Sequence, residues 1–331
     1  MPHAHAHVQS RPARWHSPCF CQRMSVLRLI LFLAWVAIES SLLAASSGSS
    51  APPAPPTPSA SPTFRPARTQ LDDLAFTGDW LGIPPGETRY LSRSDLAQLP
   101  GVTQIRQRLT PSLPEAELTV LPLPALLAAF PLGRVADGLL LTCDDRWQSV
   151  LPLTFVHSHD PFILLRYDGR TPAEGWPRFS AVEAFAPYHV DVNTAAHPDF
   201  SGIIDEGMIS ATQLIEIRAL TLAAHYAPFY AGKLARLNEP AAQGRKIFLR
   251  HCNNCHQGPG EVGGNTSQRP LGVLQAHATF NEDFFRKIVR RPKDIYPNTV
   301  MPPHPHFDEA DFAALIAFLR ESRAADTPAP R

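Results

Sequence analysis

The sequence is poor in the features that mark several large classes of protein. It contains 5 cysteines in 331 residues, and its formal net charge is zero. A chain without a basic excess lacks the electrostatic footprint of a nucleic-acid-binding protein, so we expect no nucleic-acid partner. Residues 68–225 contain no cysteine pair, no glycine-rich phosphate loop and no obvious catalytic triad. The charge balance therefore gives no support to nucleic-acid binding, and the motifs of residues 68–225 give none to phosphate-loop chemistry.

The sequence also has little long apolar sequence, and its main apolar run lies near the N-terminus. Residues 29–38 form an apolar run that follows Arg28 and precedes small residues around Ala44. A membrane span needs about 20 apolar residues. The order of charge, apolar run and small residues is typical of a secretory signal peptide, which we place at residues 24–46. We expect a periplasmic or exported protein, membrane-anchored if the signal is not cleaved.

Two further segments flank this signal. Residues 1–23 are rich in histidine and arginine, which is compatible with a small metal-binding tract. We favour instead a start codon assigned too early, with Met24 as the true start, so that Cys19 and Cys21 leave the argument. Residues 47–67 are rich in proline, serine and alanine, and this composition predicts an extended linker.

The motif Cys-Asn-Asn-Cys-His at residues 252–256 carries the strongest chemical signal. Such a motif fits a metal site, a redox thiol pair or a covalently bound haem. A structural zinc site usually takes four ligands, and no second cysteine pair or spaced histidine pair is present. A redox pair follows a strand, whereas Gly244, Ile247, Phe248 and His251 indicate a preceding helix.

Haem attachment is the remaining interpretation. The thiols of Cys252 and Cys255 would bond to one haem, and His256 would be the proximal iron ligand. The iron then needs a sixth ligand. Met301 supplies a soft thioether in a stretch stiffened by two following prolines, and we predict that it is this ligand. His304 and His306 lie close by in the sequence and stay as alternatives, although we expect both in an exposed, proline-flanked loop.

Residues 239–322 resemble a class I c-type cytochrome domain in the haem motif, in the Gly258–Pro259 turn and in the sequence around Met301. The resemblance implies an all-α domain with one covalent haem c. It also implies that the first and last helices cross, with Gly244 allowing their close approach. Phe248 would then pack on an apolar stripe of the last helix, which Asp308 is expected to cap. That stripe is formed by Phe312, Leu315, Ile316 and Leu319.

Residues 68–225 predict a separate α+β domain. Strands are expected at "AELTVLPL", "GLLLTC", "PFILLRYDGR" and "TQLIEIRAL", and short helices at "SRSDLAQLP" and "LPALLAAF". Ser94 is the expected N-cap of the first helix, and Asp168–Gly169 a hairpin turn. Residues 226–238 are predicted to be a linker and residues 323–331 a disordered tail.

A weaker resemblance, over approximately residues 85–222, links the α+β domain to the molybdopterin-binding domain of the sulfite oxidase group. The cysteine ligand of that family is absent from its place, because Cys143 lies in a later segment. We therefore interpret Cys143 as a small buried hydrophobe and expect no molybdenum cofactor. His157 and His159, in a His-x-His pattern, would share one face of a strand, but we favour a histidine pair without metal.

Three functional hypotheses follow. We favour an exported monohaem electron carrier that exchanges electrons with a soluble or membrane-bound redox partner. The alternative is an oxidoreductase in which the N-terminal domain oxidises a small substrate and passes electrons to the haem. The third hypothesis is a structural subunit of a membrane oxidase complex. The sequence assigns no catalytic residue, and the electron carrier is favoured over a catalyst.

Overall fold

Two five-stranded sheets followed by a group of helices make up the described part of the chain. The structure is a computed structural model, and it describes residues 62–178, 185–198, 200 and 210–326. The predicted signal peptide, the segment before it and most of the predicted linker at 47–67 lie outside these residues. The described residues belong to one compact unit.

The strands and helices of the described residues alternate in the N-terminal part. The strands are β1 (Leu74–Gly78), β2 (Arg89–Leu91), β3 (Thr103–Gln107), β4 (Ala116–Pro122), β5 (Gly138–Cys143), β6 (Gln148–Pro152), β7 (Phe162–Tyr167), β8 (His189–Asp191), β9 (Ala211–Thr212) and β10 (Leu214–Leu220). The helices are α1 (Arg93–Ala97), α2 (Leu123–Ala129), α3 (Leu153–His159), α4 (Leu222–His225), α5 (Glu239–His251), α6 (Leu271–Phe280), α7 (Glu282–Arg290) and α8 (Glu309–Asp326).

The first sheet has the order β2-β1-β10-β5-β6 and the second the order β3-β4-β7-β8-β9. Only the β1–β10 pair is parallel among the described ladders. In β7, Ile163 and Leu165 join the main core, while Phe162 and Leu164 join a smaller cluster. Successive side chains of a strand point to opposite faces, so this sheet is apolar on both sides.

An aspartate network ties the start of the described chain to the first sheet. The buried carboxylate of Asp73 accepts hydrogen bonds from the backbone N–H groups of Thr69 and Gln70, at 2.6 and 3.0 Å, and from Arg65 at 3.2 Å. Burial acts to raise the pKa of Asp73, but the donors outweigh it and hold that pKa below its usual value.

Among the described residues from 222 onward, every regular element is helical. These helices have their own apolar core, separate from the core between the sheets. The predicted linker at 226–238 contains two short 3₁₀ segments, and its Phe229 and Leu234 are buried in the helical core. Helix α8 continues to Asp326, into the segment predicted as a tail.

The crossing of α5 and α8 forms the centre of this core. A Cβ added at Gly244 would lie 2.9 Å from the backbone nitrogen of Leu315 and closer still to the carbonyl of Ala314, so the backbones meet where residue 244 has no side chain. Phe248 packs against Phe318 with ring centroids 5.5 Å apart. The predicted stripe of α8 is buried throughout.

Both helices have a side-chain cap at their N-terminus, and the cap of α8 is the predicted Asp308. The side chain of Asn238 accepts a hydrogen bond from the N–H of Ala241 at the start of α5. The carboxylate of Asp308 accepts from the N–H groups of Ala310 and Asp311, at 2.8 and 2.9 Å, at the start of α8. Among the described residues, no helix combines the length and the apolar character that crossing a bilayer requires.

Candidate functional site

A cavity of about 520 Å³ lies within the helical region. Its lining is mainly apolar, with side chains from α5, α6, α7, α8 and the loop before Met301. Cys252, Cys255, His256 and Met301, the four residues singled out from the sequence, all line it. The fold thus brings together two thiols, one imidazole and one thioether around a single apolar space.

The end of α5 determines how the motif enters the cavity. Cys252 is the C-cap residue of this helix, and its N–H donates to the carbonyl of Phe248 at 2.9 Å. The chain then turns, because the N–H groups of Cys255 and His256 both donate to the carbonyl of Cys252, at 3.2 and 2.9 Å. This turn presents both thiols and the imidazole to the same space.

The imidazole of His256 has one nitrogen held and the other available. Its Nδ1 lies 2.9 Å from the hydroxyl oxygen of Ser267, so Nε2 is the nitrogen that can coordinate a metal. Burial, with a smaller contribution from the charge of Arg269, lowers the pKa of His256 to about 4. The imidazole is therefore neutral at pH 7, as a metal ligand must be.

Asn253, inside the motif, organises the loop that follows. It is buried, and its amide group donates to the carbonyls of His256 and Val262, at 3.2 and 2.8 Å. The N–H of Gly264 in turn donates to the carbonyl of Asn253 at 2.8 Å. In the motif alone, nothing distinguishes this asparagine from a spacer between the two cysteines.

The loop that carries Met301 is fixed at both ends. The N–H of Met301 donates to the hydroxyl of Thr299 at 3.2 Å, and the N–H of His304 donates to the carbonyl of Val289 in α7 at 3.1 Å. Met301 packs against the helical core. The methionine is therefore held at the cavity by a hydrogen bond of its own N–H and by the bond of His304 to α7.

The structure corrects the expectation for the loop histidines. His304 was expected in an exposed loop, but it is only 2% exposed because it packs under Phe307 and against α7. His306 is exposed as expected. His251, at the end of α5, is also buried, and burial lowers the pKa of both His251 and His304 to about 4.

The turn between β5 and β6 reaches the haem motif from the other part of the chain. The N–H of Gln148 donates to the carbonyl of Asn254 at 3.0 Å, and the carbonyl of Arg146 accepts from the N–H of Asn265 at 2.9 Å. Two backbone hydrogen bonds therefore join the α+β region to the segment that contains the cysteines.

The other candidate residues of the α+β region lie apart from this cavity. Cys143 is 1% exposed, and burial raises the pKa of its thiol well above the usual value. His157 and His159 lie at the end of helix α3, so the expectation that they share one face of a strand is wrong. The ring of His159 instead stacks on Phe155, with centroids 4.3 Å apart.

The chemistry of the cavity lining fits a covalently attached haem. Thiols suit thioether bonds to haem vinyl groups, a neutral imidazole and a thioether suit the two axial positions, and apolar walls suit the macrocycle. Arg269, which also lines the cavity, offers a positive charge for the haem propionates. The sequence alone does not predict this arginine, because its position 13 residues after His256 (269 − 256) follows no motif.

Comparisons with known proteins give the same result for this region. Residues 239–319 match the family described as cytochrome c oxidase, cbb3-type, subunit III. The chain is also similar to cytochrome c oxidase subunit 2 of Alkalihalophilus pseudofirmus (strain ATCC BAA-2126 / JCM 17055 / OF4), with 32% identity over 106 residues. That alignment covers 29% of this chain and 30% of the relative.

The matched region begins at the first residue of α5 and ends within α8. It therefore coincides with the helices and loops that enclose the cavity. The alignment leaves about 70% of the curated relative (100 − 30) without a counterpart, so its activity as a whole does not transfer to this chain. Residues 239–319 are a c-type cytochrome domain, a kind of domain that binds haem and transfers electrons.

Proposed function

We propose that this protein is an exported electron carrier with one haem c, attached through Cys252 and Cys255 and ligated by His256 and Met301. The observation that carries the proposal is the lining of one cavity by all four residues. When bound, the haem iron would supply a one-electron couple, and a neutral thioether ligand would favour its ferrous state. The chain's own contribution is to hold the ligands, exclude water and present the haem edge.

His256 would be kept in one orientation by Ser267. With Nε2 on the iron, Nδ1 carries the proton and donates to the serine hydroxyl oxygen. Met301 would be held at the same cavity by the hydrogen bonds of the loop around it. Because both supports are built into the fold, little reorganisation accompanies a change of oxidation state, as rapid electron exchange requires.

The attachment is tested by staining for haem after denaturing electrophoresis. Wild-type protein should keep its stain, because thioether bonds survive denaturation. The double variant Cys252→Ala, Cys255→Ala should lose the stain, whereas Cys143→Ala, which removes a buried cysteine elsewhere, should keep it. Stain that is lost from the wild type, or kept by the double variant, would contradict the attachment.

The sixth ligand is tested by spectroscopy of the ferric protein. We expect the weak near-infrared charge-transfer band of sulfur-to-iron ligation, and we expect Met301→Ala to abolish it and lower the reduction potential. His304→Ala and His306→Ala are the matched controls, since these histidines are the alternative ligands. An unchanged spectrum in Met301→Ala, together with a changed one in either control, would assign the ligand to that histidine.

We propose that residues 68–225 form a separate α+β domain that serves as a docking or scaffold module. Its own apolar core supports a separate domain, and the pair of backbone hydrogen bonds from the β5–β6 turn to the haem-motif segment supports the docking role. The alternative is a substrate-oxidising domain with its own cofactor. Elemental analysis of the purified holoprotein separates the two: iron at one atom per chain without molybdenum supports the carrier, and stoichiometric molybdenum supports the enzyme.

A second candidate function is a subunit of a membrane oxidase. The matching family and the curated relative are both described as oxidase subunits, and this favours a place for the protein beside such a complex. Affinity purification of the tagged protein from detergent-solubilised membranes tests this. Stoichiometric recovery of oxidase subunits would support it, and recovery of the protein alone from the soluble fraction would support a free carrier.

A further inference from the structure

Three histidines form a cluster at the edge of the cavity, whose lining includes His251 and His304. His251 ends helix α5, and His304 and His306 lie in the loop after Met301. One potential ligand atom from each histidine lies within 4.8 Å of those from the other two. All three pairs of ring centroids are 5.7 Å apart, so the rings form an equilateral triangle.

This triangle has nearly the dimensions of a three-histidine metal site. A zinc–nitrogen bond of about 2.0–2.1 Å places each ring centroid about 3.2 Å from the metal, and tetrahedral angles then put the centroids about 5.2 Å apart. The observed separation exceeds this by about half an ångström. All three rings would have to move slightly inward to close the difference, and the exposed His306 has the most freedom to move.

The two buried members of the cluster are held in place but leave polar atoms unpaired. The Nδ1 atoms of His251 and His304 are buried without a hydrogen-bond partner. A buried polar atom without a partner is unfavourable, so an arrangement that gives these imidazoles a ligand is favoured. Phe307 fixes the rings, because it stacks on His304 at 4.9 Å and meets His251 edge-on at 5.3 Å.

The donor set selects the kind of cation. Three imidazoles without a thiolate or carboxylate suit zinc and similar divalent transition metals rather than calcium or magnesium, which take oxygen ligands. Three protein ligands leave a fourth position for water. We propose that His251, His304 and His306 bind a divalent transition metal of the zinc class, at a site separate from the haem iron.

This site would join two segments that also carry haem ligands. His251 directly precedes Cys252, and His304 follows Met301 by three residues. A cation bound by the cluster would therefore tie the methionine loop to the start of the haem motif. The proposal requires only that neither His304 nor His306 is the sixth ligand of the haem iron.

The test uses full-length, haem-loaded protein, treated with a chelator and titrated with Zn²⁺ against a chromogenic competitor chelator. All samples carry His3→Ala, His5→Ala, His7→Ala, His16→Ala, Cys19→Ser and Cys21→Ser, which remove the histidines and cysteines of residues 1–23 as zinc ligands. We expect one equivalent of Zn²⁺ to bind. His306→Ala should weaken this binding at least tenfold, and His306 is an exposed residue whose loss should not disturb folding.

The control variant is His277→Ala, which removes another histidine of the same cavity lining but not of the cluster. Its zinc affinity should equal that of the parent protein, and the haem absorption spectrum of both variants should match the parent. The proposal is overturned if no saturable binding occurs, or if His306→Ala and His277→Ala bind zinc with the same affinity as the parent.

Discussion

The close crossing of α5 and α8 predicts that Gly244→Ala destabilises the cytochrome domain. The added Cβ would lie 2.9 Å from the backbone nitrogen of Leu315 and nearer to the carbonyl of Ala314. Carbon atoms pack at about 3.5–4.0 Å, so the two helices would have to separate by on the order of 1 Å. The atoms in the way belong to the backbone, which cannot turn aside as a flexible side chain can.

Two opposing effects decide the size of the change. Overpacking in a core costs about 1–3 kcal/mol, and separation of the helices also weakens the packing of Phe248 against Phe318. Alanine gains about 1 kcal/mol over glycine in helix propensity. We expect the packing cost to exceed the gain and the free energy of unfolding to fall by about 2 kcal/mol.

Gly272→Ala is the matched control. Gly272 lies in the first turn of α6, and a Cβ there would meet no atom within 4 Å, so we expect unchanged or slightly increased stability. Urea unfolding of both holoproteins, followed by haem absorbance and circular dichroism, measures the difference. If Gly244→Ala raises the unfolding midpoint as much as Gly272→Ala does, the account of the helix crossing is wrong.

Three further predictions test other parts of the structure. Asp73→Asn should cost about 2 kcal/mol at pH 7, because charged acceptors make the stronger hydrogen bonds. Because the pKa of Asp73 is lowered in the fold, its contribution to the free energy of unfolding is complete at neutral pH and is lost as the pH falls below about 4. The stability of the variant, measured by urea unfolding, should therefore depend less on pH in that range than the stability of the wild type. Ser267→Ala should raise the haem reduction potential, measured by redox titration, because loss of the acceptor for Nδ1–H of His256 makes the imidazole a weaker donor to ferric iron. Gly264→Ala should destabilise the holoprotein by about 1–3 kcal/mol in urea unfolding, because its Cβ would lie 2.6 Å from the carbonyl carbon of Asn254 and 3.0 Å from the carbonyl oxygen of Arg146; stability equal to the wild type would contradict the close contact there.

Local patterns in the sequence predict much of the fold. The strands at 116–122, 138–143, 162–167 and 214–220 are confirmed, since each is a run of β-branched or apolar residues bounded by turns. Asp168 and Gly169 both have positive φ, as the predicted hairpin turn requires. The mixed α/β region and the helical C-terminal region are likewise as expected.

The errors and omissions concern features that depend on distant neighbours. Strands β8 and β9 contain three and two residues, too few to show a pattern, and exist because they extend the sheet beside β7. The cap of α1 is Ser92 rather than Ser94, because Ser92 and Asp95 form a reciprocal capping box.

The same distinction between local patterns and distant contacts applies to the candidate site. The haem motif and Met301 can be found from spacing, because their chemistry requires those residue types. The burial of His304, the support of His256 by Ser267 and the organising role of Asn253 could not be found, because each depends on contacts made only in the folded chain.

Mass spectrometry of the denatured holoprotein tests the central claim most directly. The tryptic peptide that begins at His251 contains both Cys252 and Cys255. The account predicts that this peptide carries the mass of one haem and that no other peptide of the chain does. Recovery of this peptide with two free thiols from protein made in a host that matures c-type cytochromes would contradict it.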